Sequence, residues 1–565
     1  MNGVDRQVTL SIRNALIFVT LFAVFFVVWC APRYAAISQN TLHMDDFVVR
    51  HGQSTGENVQ AWAMDRSTLG LTAGCMMPPQ DRRWGLVAIH CVLNDVYPDW
   101  VIGRATKWVG GIGMALSASL LVVLFWTWHI GWVASISVSL LFVLHPILNE
   151  IGLWNVAFSY PWLIAFCLMA VLLTENTASK KYFDGQLVVA IGLLSLVAIT
   201  YESYVMVFAV LVATRLALML LSNQPSRYLL RRASLAFGCA VLAYIGFAVA
   251  ARMAGYQGRG VANVTSLVPF LNEKIHGVFN LWVNVYMPPI ALLAPEGKAF
   301  SYWKWVPLTL AAVTWLAAVS TISGKSKVCR ATALALLHVV LPLLGTLPTI
   351  VAGQSPEAWR VSVPSLVGTL GAIAVTLAIL LHRAEPAQIS IVSKRSGLAV
   401  AGITMGLLCA MAFGMAAYAE ANLRVEENEA DRRTIEKIRT YWATGVARSG
   451  GRVRVGVTSL RAKSIVLPNV PATRMTIAYA ARGVNSALFH YFSWRSYLSL
   501  QGLDYVEVSR DAWTDKVCAA EPQKCLTSLS RSAHVACSAA LGIDPVNRSA
   551  VVHFEGERLS IICRP

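Results

Sequence analysis

Charged side chains are scarce. Asp, Glu, Lys and Arg make up 14% of the 565 residues, where a soluble domain carries about a quarter. That deficit excludes an ordinary water-soluble globule. With 56% hydrophobic residues and a mean hydropathy of +0.56, it points to a polytopic α-helical membrane protein. No CxxC pair and no His-x-x-His spacing occurs to support a zinc site. The Walker motif and the Gly-rich dinucleotide fingerprint are missing, and no internal repeat is visible. Acids are also the minority charge, 30 against 47 bases, for a formal charge of +17. The bases are spread along the chain rather than packed into one stripe, which argues against nucleic acid as a partner. Anionic membrane lipids and phosphate-bearing substrates suit such a charge better.

Long apolar runs are plentiful. Stretches able to cross a bilayer fall at about 14–32, 108–127, 131–149, 156–173, 186–200, 203–221, 233–253, 306–322, 331–352, 361–381 and 397–419. The first follows Arg6 and Arg13 and is longer than a signal-peptide core, so it reads as a retained span with a cytoplasmic N-terminus. The run 186–221 is divided at TYESY (200–204), a polar turn. The apolar piece 278–295 carries Pro288 and Pro289 and is read as interfacial or re-entrant. With that reading the segments on the inner side hold fourteen bases and four acids, the positive-inside pattern. Eleven crossings then place the C-terminus outside, in the periplasm of a bacterial inner membrane.

Two segments lie outside the spans. The first outer loop, 33–107, balances seven bases with seven acids, far more than a plain connector needs. It includes an amphipathic stretch at 56–70 and PPQDRRW (78–84). From residue 421 the composition changes, with twenty bases, thirteen acids and no further span. A polar helix is expected over 424–447 and an aromatic-rich helix over 480–502. Strands are expected at 452–458, 476–480, 505–509 and within 550–563. The chain thus divides into a membrane bundle, 1–420, and a small soluble α+β domain, 421–565. Cys75 and Cys91 in the loop, and Cys518, Cys525, Cys537 and Cys563 in the tail, come in even numbers that suit an oxidising compartment. The remaining cysteines read as small packing residues, and His338 as a core residue bonded to a neighbouring helix.

The stretch TLHMDDFVVR (41–50) carries the sharpest chemical signal. Asp45 and Asp46 sit just beyond the first span, with Arg50 one helical turn on. Adjacent acids repel at a membrane edge, yet they suit proton abstraction or the holding of a cation near a lipid phosphate. The plainer alternative is a helix start, where the macrodipole favours acids. Other outer ends carry His145, Asn149, Glu150 and Asn155 in HPILNEIGLWN, and Tyr201 and Glu202 in TYESY. Arg259, Lys274 and Lys304 surround the re-entrant piece, and Arg360 lies in QSPEAWRV. Singly, each reads as a cap or an interfacial anchor. Together the bases resemble a phosphate clamp beside a carboxylate base.

These features carry a resemblance. A long first outer loop opening with Asp-Asp is the arrangement of membrane glycosyltransferases of GT-C architecture. MDDFVVR, WAMDRSTLG, HPILNE, TYESYVMVF, NEADRRTIEKIR with RVRVGVTS, and VNSALFHYFSWRSYLSLQG resemble, in order, segments of the bacterial serotype-converting O-antigen glucosyltransferases. Met64-Asp65 ahead of Arg66, and Glu202 in place of Gln, depart from that pattern. The resemblance implies inverting transfer of a sugar from a polyprenyl-phosphate (undecaprenyl-phosphate) donor to a lipid-linked glycan on the periplasmic face. Asp45 or Asp46 is then the base. Arg50, Arg66, Arg259, Lys274, Arg360, His145, Asn149, Tyr201 and Glu202 are candidates for binding donor phosphate and substrate. No cofactor is required; a divalent cation bridging Asp45 and Asp46 is the less favoured reading, because arginines offer another neutralising group. Three alternatives stay open: a pentosyl (arabinofuranosyl) transferase acting on a pilin-like protein or another envelope glycan, a lipid-linked-sugar transporter, and a membrane-anchored assembly protein.

Overall fold

The computed structural model describes residues 3–42, Asp46, 103–175, 183–222, 227–253, 305–321, 326–351, 362–382 and 392–443, four later strands, and isolated positions at 88–97 and 224. The helices are α1 (Gly3–Ser38), α2 (Ala105–Thr127), α3 (Trp132–Leu144), α4 (Leu148–Leu153), α5 (Tyr160–Glu175) and α6 (Gly185–Thr200). They continue as α7 (Val205–Leu221), α8 (Arg227–Met253), α9 (Val306–Thr321), α10 (Lys327–Val351), α11 (Val363–His382) and α12 (Val392–Ala443). Among the described residues, seven helices are long and apolar enough to cross a membrane, so the chain is a multi-pass membrane protein. Four shorter apolar helices, α3, α6, α9 and α11, fall on the other expected spans. The re-entrant piece 278–295, the first loop's motifs at 56–70 and 78–84, and the cysteines of loop and tail lie outside the described residues.

Helix ends differ from expectation where local chemistry decides. The third span was expected to run unbroken over 131–149. Instead α3 stops at Leu144, His145 is extended (φ −61, ψ 127), and α4 starts after a turn. Pro146 accounts for this, because the ring disfavours helical backbone in the residue before it. At the other extreme, the last span and the polar helix after it are one helix. Residues 415–443 contain neither Gly nor Pro, so nothing in the backbone stops α12 where the composition changes. TYESY behaves as expected: a short 3-10 turn, Glu202–Tyr204, joins α6 to α7.

Two helices end through the same device. At the end of α1 the Thr41 N–H donates to Ala36 O (3.0 Å) and Asn40 N–H to Ile37 O (3.2 Å), with Asn40 left-handed at φ 50. After α2, Ile130 and His129 repeat the pattern onto Phe125 and Trp126, with His129 at φ 62. Both are Schellman caps, which satisfy carbonyls that would otherwise lose their partners at a helix end.

The core runs through α2, α3, α5, α6, α7 and α11. α1 packs on α2 and α12, α2 on α5, α10 on α9 and α11, and α7 on α11. Small residues let the backbones approach: a Cβ at Gly345 of α10 would lie 2.5 Å from backbone atoms of Pro364 and Ser365 in α11. His338 acts as the expected core residue, its Nε2 3.1 Å from Thr314 Oγ1 in α9 and 3.0 Å from Thr376 Oγ1 in α11.

In the tail, β1 (Val453–Leu460), β2 (Val506–Val508), β3 (Ser549–Glu555) and β4 (Arg558–Ile562) form one sheet in the order β2-β1-β3-β4. β1 is parallel to both neighbours, and β3 and β4 pair antiparallel as a hairpin. The strand expected at 476–480 and the aromatic helix at 480–502 fall outside the described residues.

Trp29 makes a tight joint with α4. Its indole is fully buried, and a Cβ at Gly152 of α4 would come within 2.1 Å of its ring. Gly192, by contrast, has open space around the Cβ position. Gly152→Ala should therefore destabilise the protein by about 1–3 kcal/mol through overpacking, while Gly192→Ala should be neutral or mildly stabilising. Thermal unfolding of both variants in the same detergent checks this; equal melting temperatures would contradict it.

Candidate functional site

Antiparallel packing brings the end of α1, the start of α2, the α3–α4 turn and the later part of α12 to one end of the bundle. Polar side chains that an apolar interior would exclude collect there. Arg33, Lys107, Asn149 and Asp46 are all essentially buried, as are Glu420 and Arg424. A buried charge has to find inside the protein the partners it loses in water, and each of these does.

Arg33 starts one chain of contacts. Its Nε donates to Asn149 Oδ1, one terminal nitrogen to Trp29 O (3.1 Å) and the other to His145 O (3.3 Å). The guanidinium also lies 3.6 Å from the centre of the Trp29 ring, a cation–π arrangement. Asn149 passes the chain on, donating to Glu420 Oε2 (2.7 Å) and Ala417 O (3.1 Å). Glu420 Oε1 then accepts from Arg424 through Nε (3.0 Å) and a terminal nitrogen (2.8 Å). Two guanidinium groups, one amide and one carboxylate thus tie α1, α4 and α12 together.

The segment leading to Asp46 is held by three separate devices. The Schellman cap reverses the chain at Asn40. The amide of Asn428 then pairs with the Leu42 backbone, accepting from its N–H (2.7 Å) and donating to its carbonyl (3.0 Å). Lys107 Nζ donates to Thr41 O, and also to Leu153 O at 2.8 Å. At the end of this segment Asp46 Oδ1 accepts from the Val156 N–H at 3.0 Å. Its carboxylate also acts electrostatically on the Lys107 ammonium. Asn155 supports the same loop by donating to Gly103 O (3.3 Å).

Of the residues singled out in the sequence, the structure brings Asp46, His145, Asn149, Glu150 and Asn155 to this end. His145 holds its own turn: Nδ1 accepts from the Ile147 N–H at 3.1 Å, and the ring packs 4.6 Å from Phe413. Asn149 bridges Arg33 to Glu420. Tyr201 and Glu202 sit on the α6–α7 turn, where Tyr201 makes edge contacts with Tyr160 (4.7 Å) and Tyr204 (5.2 Å). Asp45, Arg50, Arg66, Arg259, Lys274 and Arg360 lie outside the described residues. Among the described residues, no group of three or more His, Cys, Asp or Glu comes together as metal ligands.

Sequence reasoning missed Arg33, Lys107, Glu420, Arg424 and Asn428. Signals existed: a base at each edge of an apolar run, and a Glu-Arg pair at i,i+4 on one helix face. Charged residues also meet at the opposite end. There Trp128 Nε1 donates to Glu175 (2.8 Å), Arg215 lies 3.5 Å from the same carboxylate, and Arg232 pairs with Asp184 (3.0 Å). Those groups satisfy one another between neighbouring helices.

No protein-family model matches the chain, and no curated protein matches its sequence. Among solved structures it is similar to ArnT from Cupriavidus metallidurans bound to undecaprenyl phosphate, at 13% identity and a TM-score of 0.41, over 97% of each chain. It is also similar to the archaeal oligosaccharyltransferase AglB from Archaeoglobus fulgidus, in complex with an inhibitory peptide and a dolichol-phosphate. There the identity is 11% and the TM-score 0.35, over 72% of this chain and 56% of that one. Superpositions this loose assign neither a fold family nor a substrate.

Removing the carboxylate from the network tests its weight. Glu420→Ala removes the carboxylate that Asn149 and Arg424 bond and a buried counter-charge near Arg33, and should cost about 3–5 kcal/mol. Its melting temperature should fall well below that of the exposed control Glu429→Ala; equal values would contradict the account.

Proposed function

We propose that the chain is an inverting membrane glycosyltransferase. It moves a sugar from a polyprenyl-phosphate donor to a hydroxyl of a lipid-linked glycan of the O-antigen type, on the periplasmic face of a bacterial inner membrane. The observation that carries the reading is the placement of Asp46. Its carboxylate is fixed at one end of a membrane bundle, accepting from a backbone N–H, in the same cluster as the buried Lys107 ammonium that bonds Thr41 and Leu153. The long outer loop that follows it, and the resemblance of the sequence segments named above, point the same way.

The chemistry follows from these groups. A carboxylate takes the proton of the acceptor hydroxyl as its oxygen attacks the anomeric carbon. The bond from that carbon to the phosphate oxygen breaks, configuration inverts, and the polyprenyl phosphate leaves with an added negative charge. Arginine or lysine stabilises that charge; Arg50, Arg66, Arg259, Lys274 and Arg360 are the proposed clamp, with Asp45 orienting the acceptor. Tyr201 and Glu202 are proposed contacts to substrate.

Asp46→Asn should lower transfer of labelled sugar from an undecaprenyl-phosphate donor by about 10²–10⁴-fold, the usual contribution of a general base. The variant should still insert and fold. Wild-type rates in the variant, or movement of the lipid-linked sugar across vesicles with no new glycosidic bond by the wild type, would overturn the reading.

A further inference from the structure

We propose that Lys107 is a positioning residue that sets the place of the Asp46 carboxylate by holding both strands of chain that meet there. The rate effect rests on the function proposed above; the structural coupling does not. The bond between Asp46 Oδ1 and the Val156 N–H joins two segments remote in sequence. One approaches through Thr41, five residues before Asp46. The other approaches through Leu153, three residues before Val156. Lys107 Nζ donates to the carbonyl of each, to Thr41 O and to Leu153 O, and lies 3.4 Å from Thr41 Oγ1. A single ammonium therefore fixes the separation of the two arms that the carboxylate closes.

Several features make this more than a buried lysine with satisfied donors. Lys107 stands in the first turn of α2, a helix anchored along its length in the bundle core, so the tether is rigid at its root. The ammonium is almost fully buried, where neutral carbonyls alone compensate a positive charge poorly. The Asp46 carboxylate supplies an opposing charge that favours the ammonium, while the Arg424 guanidinium, a like charge, disfavours it. Placement of the acid and retention of the lysine charge thus depend on each other. Removing the ammonium frees both carbonyls and lets the arms move apart; displacement of a reacting group by ~1 Å costs on the order of 100-fold in rate.

The experiment uses the full chain in detergent or nanodiscs. Melting temperatures are measured for Lys107→Met, Asp46→Asn and the double variant, and transfer kinetics for Lys107→Met and Lys107→Arg with the wild type's undecaprenyl-phosphate sugar donor. The double variant should lose clearly less melting temperature than the sum of the single losses. Lys107→Met should lower kcat by about 100-fold with KM for the donor within about twofold, and Lys107→Arg should recover part of the loss. Additive melting-temperature shifts overturn the proposal whatever the rates. So does a Lys107→Met kcat within about twofold of wild type. If the wild type transfers no sugar, the functional reading falls and the melting-temperature cycle alone decides for or against the tether.

Discussion

An arginine inside an apolar bundle stays charged only if its donors find acceptors there, and Arg33 finds them on three different elements. Everything else at that end of the bundle is arranged around this requirement. Asn149 can serve Arg33 only because Pro146 breaks the third span and turns α4 inward. Glu420 can serve Asn149 only because α12 continues without interruption past the apolar run. The indole of Trp29 fits beneath the guanidinium because Gly152 has no side chain to oppose it. Removing any of these would leave a polar group buried without its partner, which costs far more than the interaction gains when made.

The same logic explains why the candidate site can be held so firmly beside a membrane. Loops at bilayer edges have water on one side and little packing to restrain them. Here Thr41 and Leu42, shortly before Asp46, are bonded by Lys107 of α2 and Asn428 of α12. Such preorganisation is what a transfer reaction needs, because fixed dipoles aimed at developing charge cost no reorganisation during the step. The cluster at the opposite end, around Glu175 and Asp184, closes on itself and ties helix to helix.

Much of the described bundle was legible in the sequence: the expected spans fall on helices, except that 131–149 is broken at Pro146, and TYESY is a turn. Strand alternation located β1, β2, β3 and β4 to within a residue or two, and Asp46 stood out as an acid at a span's edge. What stayed hidden was pairing. Arg33 and Asn149 are 116 residues apart, Asn149 and Glu420 are 271 apart, and Leu42 and Asn428 are 386 apart. No local periodicity encodes such contacts. Arg33 and Lys107 looked like loop charges because the first apolar run was taken to end before Arg33 and the second to begin after Lys107, yet both side chains are buried. Glu420 and Arg424 looked like the start of a polar tail for the same reason.

The central claim is that the lipid phosphate binds at the end of the bundle that carries Asp46. A structure of the full chain with a bound polyprenyl phosphate tests it most directly. The account predicts phosphate density beside the Asp46 segment, with basic side chains reaching it. Phosphate density at the opposite end, beside Arg215 or Arg232, would contradict it.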